Sequence, residues 1–84
     1  MALRKYFCTF PQHLIKEPII SYTLGSKFDV VPNIRAATID EQVALVAVEI
    51  EGELEDIQKS VEYLRERGVT VEELAEGETP PGLG

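Results

Sequence analysis

The run VVPNIRAATIDEQVALVAVEI, Val30 to Ile50, holds two stretches rich in β-branched residues on either side of three polar ones. Branching at Cβ stiffens χ1 and suits a pleated surface, so each stretch is expected to be a strand. A link as short as Asp40-Glu41-Gln42 joins antiparallel neighbours, and the pair reads as a hairpin although the link has no glycine. The first strand is unusual. It carries Pro32, which has no N–H to give a ladder, together with the amide of Asn33 and the guanidinium of Arg35. Proline in a strand points to its start or to a sheet edge. In the second strand, Val46, Val48 and Ile50 read as core and Leu45, Ala47 and Glu49 as outward. In the first, the phase that buries Ile34 and Ala36 puts Asn33 and Arg35 outside, near Phe7 and Leu45. Both sets are partly apolar, so periodicity alone leaves the choice open.

Working outward, RKYFCTF (Arg4 to Phe10) alternates and ends at Pro11, which reads as a first strand with Tyr6, Cys8 and Phe10 on one face. Pro18 suits a helix start, and Ile19, Ile20, Leu24 and Phe28 follow at helical spacing. Gly25 inside that helix costs roughly 1 kcal/mol relative to alanine, which suggests a close approach there. GELEDIQKSVEYLRERG places Leu54, Ile57, Val61 and Leu64 on one stripe, with acids at the start, arginines at the end and Gly68 to stop the helix. Val69 to Leu74 is a last short strand. The order β-α-β-β-α-β fits an α+β, ferredoxin-like sandwich: a four-stranded antiparallel sheet with two helices on one face. The expected organisation is one domain over residues 1–74 and a disordered acidic tail over residues 75–84.

Eighty-four residues suffice for one domain with a thin core, which a dimer would enlarge. The net charge of −7 is uneven, +3 over residues 1–35 and −10 over residues 36–84, with no basic cluster to neutralise phosphates. Nucleic acid is therefore not an expected partner. No apolar run is long enough to span a bilayer and no secretory leader is legible, so a cytoplasmic protein is expected. The single cysteine excludes an internal disulfide or an all-cysteine metal site within one chain. His13, the one histidine, stands in a loop with no ligand partner at metal spacing, and no nucleophile–base set can be assembled. The chain reads as non-catalytic, with no cofactor.

FPQHLIKEPII, NIRAATI and VEIEGELEDIQKSVEYLRERGVTVEEL together resemble the NIL domain, a family named after an Asn-Ile-Leu motif. The resemblance spans nearly all of Arg4 to Leu74. It implies a ferredoxin-like fold similar in architecture to ACT-type amino-acid sensors. It also implies kinship with the C-terminal regulatory domains of methionine-import ABC-transporter ATPases, where paired domains bind methionine and lower transport. Without a GxxxxGK[ST] phosphate loop or a cysteine cluster, the likeness is to the short stand-alone form, not to the ATPase or the ferredoxin fusion. The motif departs from the family at its third residue, where Arg35 stands in place of leucine.

What the resemblance implies for function is a small regulatory module, a homodimer, binding L-methionine or a related sulfur amino acid. It places the contact at Asn33, with Ile34, Arg35, Gly25 and Leu24 as neighbours. An amide offers a donor and an acceptor, and a guanidinium can grip a carboxylate bidentately. The bland readings are a strand-start amide bonded to local backbone, and a surface arginine paired with Glu49 across the hairpin. The alternative function is a ligand-free module that docks on a larger enzyme of sulfur amino-acid metabolism.

Overall fold

A computed structural model describes residues 1–75, Gly77 and Glu78, with Ser21 described in its backbone only. Strands β1 (Ala2–Pro11), β2 (Val30–Ile39), β3 (Val43–Gly52) and β4 (Thr70–Leu74) form one antiparallel sheet in the order β2-β3-β1-β4. Helix α1 (residues 19–27) follows β1 and a short turn over Gln12–Leu14, and helix α2 (Leu54–Arg67) joins β3 to β4. Both helices bury side chains on one sheet face. Tyr6, Cys8, Phe10, Val46, Val48 and Ile50 meet Ile19, Ile20 and Leu24 of α1 and Ile57, Val61 and Leu64 of α2 there. This is the βαββαβ sandwich that the element order predicts.

Helix α1 differs from a regular helix. Ile19–Leu24 is wound as a π-helix and only Gly25–Lys27 closes as an α turn. The Pro18 carbonyl accepts from both Tyr22 N–H (3.0 Å) and Thr23 N–H (3.1 Å). The wider turn lets Ile19 and Leu24, five residues apart, both reach the core beside Ile20.

The stripe on α2 is also adjusted. Leu54, at the first turn, is 46 % exposed, and Ser60 takes the fourth buried place beside Ile57, Val61 and Leu64. The Ser60 hydroxyl donates to the Ile57 carbonyl at 2.7 Å, so its burial leaves no polar atom unpaired. Gly68 ends the helix in the left-handed region (φ 104°), its N–H returning to the Arg65 carbonyl at 3.1 Å.

The hairpin turn lacks a glycine because a side chain closes it. Oδ1 of Asp40 accepts the N–H groups of Gln42 (2.7 Å) and Val43 (2.8 Å), and Asp40 N–H donates to the Val43 carbonyl at 3.0 Å. These bonds to the charged form hold the Asp40 carboxyl below its usual value. Of the expected tail, residues 76 and 79–84 lie outside the described residues.

Cys8 is fully buried, and burial pushes its thiol up to about 12 despite the opposing field of Arg65. Unfolded, the thiol ionises near pH 8.5, so the folded state keeps a proton that the unfolded chain loses. That contribution is complete below about pH 8.5 and declines as pH rises toward 12. The urea midpoint is expected to fall over this range, with a smaller fall in Cys8→Ala measured under the same conditions. Gly68→Ala forces a Cβ into the left-handed region and is expected to lower stability by about 1–2 kcal/mol in the same assay.

Candidate ligand site at the bulged edge strand

β2 is an edge strand paired only with β3, which is where a strand proline is tolerated. Its register is regular from Val30 opposite Gly52 to Ile34 opposite Val48, then slips, so that Ala36 faces Ala47 and Ile39 faces Ala44. Arg35 is the extra residue of a β-bulge. The bulge reverses the phase. Of the phase that would bury Ile34 and Ala36, only Ile34 lies on the helix side, with Val48; Ala36 turns to the helix-free face with Ala47, and Ala37 and Ile39 take the helix side. A simple alternation cannot anticipate this, because one inserted residue swaps the faces of all that follow.

Asn33 lies opposite Glu49 on the helix-free face. Its amide makes no hydrogen bond among the described residues, so it is not bonded to local backbone. Arg35 is 67 % exposed and its Nε stands 3.5 Å from Glu49 Oε1, while Lys5 Nζ stands 3.8 Å from Glu49 Oε2. The pairing of Arg35 with Glu49 engages one side of the guanidinium. Its terminal nitrogens take no hydrogen bond among the described residues. A shallow recess of about 220 Å³ is bounded by Lys5, Arg35, Ala47, Glu49, Leu74 and Glu78. Asn33, Arg35 and Glu49 are thus brought together.

The other sequence-derived positions fall on the opposite side. Leu24 is fully buried in the core and presents no surface. Gly25 is exposed, and a Cβ added to it would meet Pro32 Cδ at an ordinary 3.8 Å, so no close approach requires a glycine there. Ile34 is 49 % exposed and opens into a cleft of about 260 Å³ between β2 and the segment 14–20. Phe10, Leu14, Ile20, Ile39, Ala44 and Val46 complete most of its apolar lining. Glu17, also on that wall, is held by Arg67 of α2: Nη2 donates to Oε1 at 2.7 Å, and Nη1 donates to the Tyr63 hydroxyl at 3.1 Å. Sequence reading did not single out this cleft. Its lining comes from three separate segments, and Ile39 joins it only because of the bulge.

A family model described as the NIL domain matches residues 8–73. The chain belongs to the NIL domain family. Among solved structures, the C-terminal domain of an ABC transporter ATP-binding protein from Enterococcus faecalis superposes with a TM-score of 0.74 at 23 % identity. The match covers 89 % of this NIL chain and 86 % of that one. At this identity the likeness concerns the fold. A comparison with curated proteins gives no match. Among the described residues, no group of three or more His, Cys, Asp or Glu is placed to hold a metal ion, and no helix is long and apolar enough to cross a membrane.

An exposed ion pair contributes about 0–1 kcal/mol. Arg35→Ala is therefore expected to leave the free energy of unfolding within about 1 kcal/mol of the parent protein, measured without ligand by denaturant unfolding. A larger loss would make Arg35 a structural residue.

Proposed function

We propose that this NIL domain is a non-catalytic regulatory module of the cytoplasm that binds L-methionine, or a related sulfur amino acid, at the bulged edge of β2. One observation carries the reading. At one free edge, strand alternation sets Asn33 and Arg35 on one face and Ile34 on the other, and the bulge brings Ile39 into the apolar cleft beside Ile34. An amino acid with an unbranched apolar side chain has the same division. Its carboxylate suits the free terminal nitrogens of Arg35, its ammonium and carboxylate suit the amide of Asn33, and its chain passes Ile34 into the cleft. The cleft lies just under the usual size range for drug-sized ligands, which suits a smaller molecule. Leu24 acts from behind, as core support, and Gly25 flanks the edge through Pro32.

A second copy would close the site. β2 leaves one edge without a partner strand, with Val31, Ile34 and Ile39 about half exposed or more along it, and such an edge is a template for pairing. A homodimer across β2, comparable in role to paired ACT-type domains, buries this edge and encloses a ligand lying along it. The ligand then regulates only through a difference in affinity between two states of the dimer or of a protein it contacts. The same exposed edge also favours the second reading, a ligand-free module docking on a larger enzyme.

Titration of the purified protein with L-methionine, followed by backbone amide shifts, separates the two. Saturable shifts centred on residues 33–35, absent with D-methionine and L-leucine, are expected. Asn33→Ala and Arg35→Ala should each weaken binding about tenfold or more, the scale of a hydrogen bond to a charged group. A folded, dimeric sample that shows no shifts at millimolar L-methionine supports the docking module instead.

A further inference from the structure

The sheet has a second apolar surface, on the side away from the helices. Phe7 stands at its centre, opposite Ala47 of β3 and Glu72 of β4. Neither helix lies on this face, and Phe7, Ala47 and Leu74 stand outside the core cluster that the helices cover. The methyl group of Ala47 cannot roof an aromatic ring, and Glu72 is itself exposed. Yet Phe7 is only 7 % exposed and Ala47 only 8 %. Burial of this degree on a sheet face calls for a further layer of chain.

The chain after β4 leads onto that face. β4 ends at Leu74, beside Lys5 of β1. Ala75 N–H donates to Glu78 Oε1 at 2.8 Å, and Glu78 N–H donates to the Ala75 carbonyl at 3.0 Å. Gly77, at φ 79°, supplies the left-handed residue that such a reversal needs. The turn brings Glu78 back to the sheet, where it bounds the recess with Lys5, Arg35, Ala47 and Leu74. The next five residues, Thr79-Pro80-Pro81-Gly82-Leu83, carry no charge and one large apolar side chain. The two prolines lack the N–H groups that would extend the ladder at an edge, and they keep a chain extended at little entropic cost. Five steps of ~3.1 Å give a reach of about 15 Å. The row of Phe7 lies only about 7 Å along β1 from that of Lys5.

We propose that the helix-free face is an intramolecular docking surface whose occupant is residues 79–83 of the same chain. Pro80 and Pro81 cross the recess beside Arg35, and Leu83 packs on Phe7 and Ala47. The uncharged segment matches the apolar centre of the face, while Glu78 at its root stands by the cations Lys5 and Arg35. The closure needs no ligand. A partner that uses this face has to displace the segment, and Asn33 and Arg35 lie at its margin.

NMR on the whole chain tests the docking. Nuclear Overhauser contacts between the Leu83 methyl groups and the Phe7 ring are expected, with backbone order parameters above about 0.6 at residues 82 and 83. In Leu83→Asp those contacts are lost, the amides of Phe7 and Ala47 shift, and the order parameters of residues 82 and 83 fall below about 0.6, while the resonances of Cys8 and Leu64 stay in place. Order parameters below about 0.6 in the parent protein, with no contact to Phe7, overturn the proposal. So does a Leu83→Asp variant that leaves Phe7 unmoved. Leu83–Phe7 contacts seen only between a labelled and an unlabelled copy also overturn it, and make a second copy the occupant.

Discussion

The ten-residue antiparallel pairing of β1 with β3, from Ala2 opposite Gly52 to Pro11 opposite Val43, is the constraint on which the rest of the molecule hangs. In the order β2-β3-β1-β4 these two strands are the centre, and each carries one edge strand. The pairing joins residues far apart in the chain, so its loop-closure entropy has to be offset by burial. That burial is supplied by alternate residues, Tyr6, Cys8 and Phe10 against Val46, Val48 and Ile50, under the two helices. A slip of one residue would turn all of them to the helix-free face, and with them the whole core.

With the centre fixed, the edge is free to be irregular. β4 is five residues long and β2 is ten, so β2 presents the longer unpaired backbone. Pro32 and the bulge at Arg35 interrupt it, which are devices that keep an exposed edge from open-ended pairing. The same bulge turns Ile39 to the helix side, where it lines the cleft beside Ile34. Protection of the edge and construction of a candidate site are thus one feature of the backbone.

The helices support this arrangement from one side. The π-wound Ile19–Leu24 stretch buries Ile19, Ile20 and Leu24 together, and Ile20 also forms part of the cleft floor. The Glu17–Arg67 contact ties the chain before α1 to the last turn of α2. A contact of this exposure contributes little to stability, but it fixes the wall that faces Ile39. On the helix-free face, Phe7, Ala47 and Leu74 are each under a tenth exposed yet stand apart from the main core cluster, so the sheet carries apolar residues on both sides.

Much of this was legible in the residues themselves. The order of elements, the hairpin, the inward set Tyr6, Cys8 and Phe10, and the glycine stop at Gly68 follow from local propensity and from periods of two and three to four. Those are properties of neighbours in sequence. The likeness to NIL domains, matched over residues 8–73, likewise rested on residues in order. What only the tertiary structure decided is different in kind. The replacement of Leu54 by Ser60 in the buried stripe of α2 depends on where the helix lies over the sheet. The closure of the Asp40 turn by its own carboxylate depends on backbone geometry. Above all, the bulge that turns Ala36 outward and Ile39 toward the helices is a shift in pairing between two strands. Neither strand records it alone, because a register belongs to the pair.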